Sequence, residues 1–194
     1  MIGETNVGTT TILHSRRTAR LATVSVAVVP SDPAWPARYD QERRLLERVL
    51  APWLDRGIHH IGSTSIPGLA AKPIIDMLAG VRDLDRARAA SAVLLHEGYV
   101  HSPHRPEIAH HFDKRDGEST THGLHLTEPG SELWRERLAF RDALRRDETL
   151  AREYEPLKLT LAEQHNLGLA EYTAGKRAFV ARVLEAEGIG LRRV

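Results

Sequence analysis

Short runs of strand-forming residues, separated by turn-forming residues, fill the middle of the chain. Residues 58–61 form a short β-compatible run, and residues 74–78 form a mostly apolar run that is typical of a buried strand. Residues 108–114 and 120–127 flank Asp116-Gly117, a dipeptide that favours a hairpin turn. Together with shorter runs, this pattern predicts a mixed sheet of about five strands.

Outside these runs, apolar residues recur at the spacing of amphipathic helices. Residues 34–54 and 84–97 predict two helices among the strands. A further helical segment is predicted to begin at Ser131 and to continue with helices over 149–165 and 171–187. The expected architecture is therefore an α/β fold, a mixed β-sheet with flanking helices and a C-terminal helical segment.

The composition narrows the class of protein. A length of 194 residues with 41% hydrophobic residues fits a tail over 1–22, an α/β core over 23–130 and a helical segment over 131–188. The net charge of +1 gives no strong signal for nucleic-acid binding. The absence of cysteine excludes disulfides and cysteine nucleophiles, and it fits a cytoplasmic location. No apolar run approaches the ~18 residues of a membrane-spanning helix.

Asp76 stands out because a lone carboxylate inside an apolar run is costly unless it is paired, hydrogen-bonded or bound to a metal. Upstream, Gly62 and Ser63 predict a tight turn into a short helix that Pro73 ends. The N-terminus of such a helix offers backbone N–H groups to an anion. Two interpretations remain open. One is an anion cradle beside a metal-binding carboxylate; the other is a plain helix cap beside a carboxylate with a structural hydrogen bond.

The chain contains eleven histidines, and several of them fall on the predicted hairpin. Because side chains alternate across a strand, His122 and His125 are expected on opposite faces, and so are His110 and His111. His111 shares its predicted face with Asp113. Histidine is the commonest metal ligand, and hydrogen bonding within the hairpin is the alternative interpretation for each of these residues.

The run over residues 58–81 closely resembles the signature of the GrpB-like family, a branch of the nucleotidyltransferase (polymerase-β-like) superfamily. The superfamily pattern is Gly-Ser, then a strand with Asp-x-Asp, then a third carboxylate on a later strand. Gly62, Ser63 and Asp76 match the first parts, whereas Leu78 occupies the position of the second carboxylate. The resemblance implies a nucleotidyltransferase-like fold over most of the chain.

Further matches to the family lie in the second half of the chain. They are Thr-His-x-Leu-His at 121–125, Phe-Arg-Asp at 140–142, and the Tyr-x-x-x-Lys pairs Tyr154 with Lys158 and Tyr172 with Lys176. The two lysines are expected to line a cleft opposite the Gly-Ser turn, and Arg141 is expected to clamp a phosphate or a carboxylate. The alternatives are solvated lysines and a locally paired arginine.

The leading hypothesis from this resemblance is a nucleotidyltransferase-like enzyme. Asp76 and His125 would be catalytic and would hold a divalent metal, Mg²⁺, Mn²⁺ or Zn²⁺, with His125 in the place of the third carboxylate. The predicted substrate-binding residues, which would hold phosphates, are Gly62, Ser63, Lys72, Arg141, Lys158 and Lys176. Family members also occur fused to dephospho-coenzyme A kinase, so the expected ligand is a nucleotide or a coenzyme-A-related molecule.

Two other classes of function remain open. The missing second carboxylate at Leu78 favours a catalytically silent module that binds a nucleotide or a phosphorylated metabolite, because two-metal transfer normally needs several carboxylates. A metal-dependent hydrolase built on the histidines needs three converging ligands. The alternation of His122 and His125 makes that convergence harder.

Overall fold

The computed structural model describes residues 27–103, 105–164 and 169–190. The helices and strands follow in the order α1 (Trp35–Val49), β1 (Leu54–Ile61), β2 (Ile75–Val81), α2 (Ala90–His96), β3 (Tyr99–His101), β4 (His110–Asp116), β5 (Ser119–Thr127), α3 (Glu132–Arg146), α4 (Glu148–Glu163), α5 (Leu169–Gly175) and α6 (Arg177–Ala186). Two short 3₁₀ turns, Ser63–Ser65 and Arg86–Ala89, lie between these elements.

The five strands in the described ranges form one mixed sheet in the order β1-β2-β5-β4-β3. Strands β2 and β5 run parallel, and the other neighbours are antiparallel. Parallel strands need a crossover connection, and here α2, β3 and β4 lie within it. The predicted α/β fold with a mixed sheet, flanking helices and a C-terminal helical segment is confirmed.

One face of the sheet packs against α1 and α2. The side chains that meet there are fully buried; they are Ile75, Met77, Leu124 and Phe112 from the sheet and Trp35, Leu46, Leu50 and Leu94 from the helices. Burial of one such side chain stabilises the fold by roughly 1.5–3 kcal/mol. Trp35 of α1 belongs to this core and is 1% exposed.

The opposite face of the sheet is partly covered by α3. Leu133 on α3 packs with Ile61 of β1, Leu78 of β2 and Ala109 before β4. Polar side chains of β2, β4 and β5 occupy the rest of this face. The face under α3 therefore carries the candidate site.

Helices α4 and α6 attach to the loop between β1 and β2. Ile66 and Leu69 of this loop pack with Tyr154 on α4 and with Phe179 and Val183 on α6. The rings of Tyr154 and Phe179 stack with their centroids 4.8 Å apart. This apolar cluster fixes the loop beside the sheet.

The prediction of a short helix after Gly62 is wrong. Only the 3₁₀ turn Ser63–Ser65 forms there, and the chain then passes through Pro67 and Gly68, whose φ is +74°. One turn is too short to sustain a helix, and a left-handed glycine cannot continue it. The helix dipole that was expected to cradle an anion therefore does not form at this turn.

The last predicted helix, over 171–187, is interrupted. Helix α5 ends at Gly175, and Lys176 is the N-cap residue of α6. A Cβ added to Gly175 would lie 2.5 Å from Leu161 of α4, so the chain packs closely at the break. Lys176 thus projects from a helix start rather than from the middle of a long helix.

Other boundaries differ less. Helix α1 ends at Val49 rather than at residue 54, because Leu54 already pairs within β1. The predicted tail over residues 1–22 lies outside the described residues, and the domain division at residue 130 stays a prediction. None of the described helices is long and apolar enough to cross a membrane.

Candidate functional site

One row of residues crosses the sheet beneath α3. Asp76 on β2 is registered with Ile61 on β1 and with Gly123 on β5, and Gly123 is opposite Asp113 on β4. Residues in one row lie on the same side of a sheet. Because Gly123 has no side chain, the Asp76 carboxylate extends over it towards Asp113. The sequence predicts a role for Asp76 but none for Asp113.

Two glycines make room for the Asp76 carboxylate. A Cβ added to Gly123 would lie 2.8 Å from Asp76 Oδ1, and a Cβ added to Gly62 would overlap Asp76 Oδ2. Gly62 also has a φ of +69°, a left-handed conformation that favours glycine. The structure thus places Gly62 directly against Asp76, where it admits the carboxylate.

Three cationic side chains surround Asp76. Arg137 on α3, Lys176 at the start of α6 and Lys72 in the loop before β2 all lower its pKa. Burial has the largest effect and raises the pKa of Asp76 to about 6, and the nearby Asp113 also raises it. The sequence predicts Lys72 and Lys176 as substrate-binding residues, and the structure brings both close to Asp76. The sequence does not predict Arg137.

Burial also disfavours the charged lysines of the site. It lowers the pKa of Lys176 to about 8, against the attraction of Asp76. It likewise lowers the pKa of Lys72, against Asp76 and Asp113. The Lys176 ammonium lies 4.3 Å from the centroid of the Tyr172 ring, a cation–π contact. The site therefore holds several charges where water solvates them poorly.

The Tyr154–Lys158 pair contacts the loop between β1 and β2. Lys158 is 1% exposed, and its ammonium donates a hydrogen bond to the carbonyl of Ala70. Burial lowers the pKa of Lys158 to about 8. Tyr154 makes a side-chain hydrogen bond with Ser63. Lys158 and Ser63 thus tie α4 to this loop, and their phosphate contacts stay predictions.

Arg141 joins α3 to β1. Its guanidinium donates hydrogen bonds to the carbonyl of His60, 3.2 Å away, and to the carboxylate of Asp142, 2.7 Å away. The arginine of α3 that acts on Asp76 is Arg137, one turn earlier. Arg137 lies four residues before Arg141, so the two side chains share a helix face. This spacing was the one sequence signal that pointed to Arg137. The phosphate contact of Arg141 stays a prediction.

The hairpin histidines separate by face as predicted. His122 lies near Glu42 of α1, and the ring of His110 contacts the carbonyl of Leu84 on the other face from Asp76. His111 and His125 lie on the face of Asp76, directly opposite each other on β4 and β5. His125 is registered with Leu78, two positions beyond Asp76. The predicted metal ligands Asp76 and His125 therefore occupy adjacent rows of one face.

His111 links Asp113 to His125. Its Nε2 atom is 3.1 Å from Asp113 Oδ1, and its Nδ1 atom is 3.1 Å from His125 Nδ1. His125 is 7% exposed. The three side chains form a continuous hydrogen-bonded chain beside the Asp76 row.

Comparison with known proteins shows the family. The family model described as GrpB protein matches residues 25–186. The chain belongs to the GrpB family. The UPF0157 protein YqkA of Bacillus subtilis is 35% identical over 155 residues, which are 80% of this chain and 45% of YqkA. The glutamate-rich protein GrpB of Alkalihalophilus pseudofirmus is 34% identical over 164 residues, 82% of this chain and 94% of that protein.

A solved member of the GrpB family shares the fold. It is the conserved protein GrpB from Enterococcus faecalis, whose crystal structure matches with a TM-score of 0.76 and 29% identity. The match covers 82% of this chain and 96% of that one. The predicted family resemblance is confirmed.

Within the part of the chain that the structure describes, the donor set of this GrpB-family site does not form a metal centre by itself. In residues 27–103, 105–164 and 169–190, no group of three or more His, Cys, Asp or Glu side chains is arranged to hold a metal ion. The described residues therefore do not fit a resident Zn²⁺, which takes at least three protein ligands. A Mg²⁺ ion bound jointly with substrate phosphates needs only one or two carboxylates, and Asp76 and Asp113 would be the carboxylates to hold it.

Proposed function

We propose that this GrpB-family protein binds the phosphates of a nucleotide or of a phosphorylated metabolite, such as a coenzyme-A-related molecule, at the Asp76 site. The observation that carries the proposal is the convergence of Lys72, Arg137 and Lys176 on one partly buried carboxylate. Guanidinium and ammonium groups are the side chains that bind phosphate in proteins.

The electrostatic balance of the site favours an anionic ligand. Burial penalises the charged forms of both Asp76 and Lys176, as the opposite shifts of their pKa values indicate. The cluster therefore makes the protein without ligand less stable. Charges that are maintained at a cost to folding are typical of functional sites. A phosphate among Lys72, Arg137 and Lys176 would supply charge-assisted hydrogen bonds in place of the lost water.

Nucleotidyl transfer is the reaction that we propose for this site. The oxygen of an acceptor hydroxyl bonds to the α-phosphorus of a nucleoside triphosphate and its proton passes to solvent, while the bond from this phosphorus to the β-bridging oxygen breaks and pyrophosphate leaves with the bonding electrons. Lys72, Arg137 and Lys176 would hold the phosphates and offset the charge that the leaving pyrophosphate gains. A Mg²⁺ ion shared with Asp76, when bound, would supply further charge neutralisation.

A catalytically silent binder is the second candidate, and Leu78 favours it. Leu78 stands where the superfamily has its second carboxylate, is fully buried, and packs with Ile61 and Leu133. A site with one carboxylate on β2 can bind phosphates without holding the two ions of a two-metal reaction. A histidine-based hydrolase needs three converging ligands, which the described residues do not supply, and we do not propose it.

Thermal denaturation with a ligand panel tests the proposal. ATP, GTP, CTP, UTP and coenzyme A are each added with Mg²⁺, Mn²⁺ or EDTA to wild type, Asp76→Asn and Lys176→Met. A ligand at about one hundred times its Kd stabilises a protein by roughly 2.7 kcal/mol, which raises the Tm of a chain of this size by about 5–10 °C. Arg177→Met is the matched control, because Arg177 is the exposed neighbour of Lys176.

Three outcomes separate the candidates. A shift that requires Mg²⁺ or Mn²⁺, disappears in Asp76→Asn and accompanies pyrophosphate release by the wild type supports nucleotidyl transfer. A metal-independent shift without pyrophosphate release, lost in Lys176→Met and retained in Arg177→Met, supports the silent binder. No shift with any phosphorylated ligand contradicts phosphate binding at this site.

A further inference from the structure

We propose that Asp113 and His111 are positioning residues that fix the ring tautomer of His125, so that the Nε2 atom of His125 carries its lone pair. The inference rests on two contacts of 3.1 Å, from Asp113 Oδ1 to His111 Nε2 and from His111 Nδ1 to His125 Nδ1. The sequence predicts no role for Asp113, and for His111 it leaves metal binding and hydrogen bonding within the hairpin as alternatives.

The assignment begins at Asp113. An ionised carboxylate only accepts hydrogen bonds, so His111 Nε2 carries the proton of the Asp113 contact. A neutral imidazole has a single ring proton. The Nδ1 atom of His111 therefore has a lone pair and acts as an acceptor.

The contact between the two Nδ1 atoms then determines the tautomer of His125. It needs one proton between the rings, and because His111 Nδ1 accepts, His125 Nδ1 donates. The lone pair of neutral His125 is consequently on Nε2. Partners on one ring nitrogen commonly set the tautomer in this way for histidines that bind a metal or accept a proton.

Packing holds this chain of three side chains in one arrangement. The β4–β5 register places His111 directly opposite His125, and the ring centroids are 4.2 Å apart. His125 is 7% exposed, which restricts rotation of its ring. The tautomer does not depend on the proposed function.

Nitrogen NMR of the histidine rings tests the inference. The full chain is labelled with ¹⁵N-histidine and studied without ligand at about pH 8.5, above the ordinary histidine pKa of about 6.5. Long-range proton–nitrogen spectra distinguish protonated from unprotonated ring nitrogens, and His111→Gln and His125→Gln assign the signals. We expect His111 protonated at Nε2 and His125 protonated at Nδ1. A wild-type His125 protonated at Nε2 overturns the proposal.

Asp113→Ala tests whether the Asp113 carboxylate fixes which ring nitrogens of His111 and His125 are protonated. Without the carboxylate, we expect the signals of His111 and His125 to change to those of averaging tautomers. His122, on the other face of β5, is an internal control that keeps its spectrum. A His125 signal unchanged by Asp113→Ala overturns the positioning role. The spectra need no ligand, so a failure of the proposed phosphate binding is distinguished from a failure of this inference.

Discussion

Asp76 on β2 and Gly123 on β5 are registered partners on parallel strands, and Asp76 Oδ1 lies within 2.8 Å of the point where a Cβ at position 123 would stand. The carboxylate thus extends over β5 towards Asp113. Any side chain at position 123 would separate the two carboxylates. The geometry of the candidate site therefore depends on one missing side chain in the sheet.

Replacing Gly123 with alanine is expected to displace the Asp76 carboxylate. Either β5 or Asp76 must shift to relieve the overlap, which costs about 1–3 kcal/mol. We expect the free energy of unfolding in urea to fall by that amount and any metal-dependent ligand shift to be lost. Gly190→Ala is the control, because a Cβ there meets nothing within 4 Å. A Gly123→Ala variant with wild-type stability and ligand response would contradict the close approach.

The stability of the protein is expected to depend on the ionisation of Asp76. Burial raises the pKa of Asp76 from 3.8 to about 6, so the folded protein binds this proton more tightly than the unfolded chain. The resulting stabilisation is complete below about pH 4 and is lost as the pH rises through about 6. Asp76→Asn mimics the neutral form. We expect it to be more stable than wild type at about pH 8 by up to about 3 kcal/mol, and equally stable near pH 4.

Urea denaturation between about pH 4 and pH 8 measures this difference. Asp85→Asn is the control. Its side chain is 88% exposed, and we expect it to stay within about 0.5 kcal/mol of wild type throughout. If Asp76→Asn is less stable than wild type at about pH 8, the three cations stabilise the carboxylate by more than its burial costs, and the argument from desolvation fails.

Replacing Lys176 with methionine is expected to stabilise the protein and to weaken phosphate binding. Burial lowers the pKa of Lys176 from 10.5 to about 8, so stability is highest above about pH 10.5 and is lost as the pH falls through about 8. At neutral pH we expect Lys176→Met to raise the free energy of unfolding by about 1–3 kcal/mol. The ligand-induced rise in Tm should disappear. Arg177→Met should change neither quantity, and a destabilised Lys176→Met would show that the charge serves the fold.

Arg137 and Arg141, one turn apart on α3, are expected to have different roles: Arg137 in ligand binding and Arg141 in stability. Arg141→Gln removes the donor to the His60 carbonyl and should lower the free energy of unfolding by about 1–3 kcal/mol. Arg137→Gln should weaken ligand binding about tenfold or more with a smaller effect on stability. Calorimetric titration and urea denaturation of both variants measure the two effects. The reverse result would assign the predicted phosphate contact to Arg141 and remove Arg137 from the site.

Local patterns in the sequence were sufficient for features that depend only on neighbouring residues. The strand period of two placed His125 and His122 on opposite faces, as observed. Ser131 was predicted to begin α3, and its hydroxyl accepts the N–H of Trp134 at 3.2 Å. The same local reasoning was wrong after Gly62, because one turn of helix is not stable without further residues to extend it.

The sequence by itself determined the family, the mixed α/β fold and the face of the sheet on which His125 lies, because these follow from motifs and from the periodicity of single strands and helices. Only the tertiary structure decided what surrounds Asp76. Arg137 and Asp113 reach it because α3 crosses the sheet at one angle and β4 pairs with β5 in one register. Such contacts between distant segments depend on packing, and no local pattern specifies which turn of a helix meets which row of a sheet.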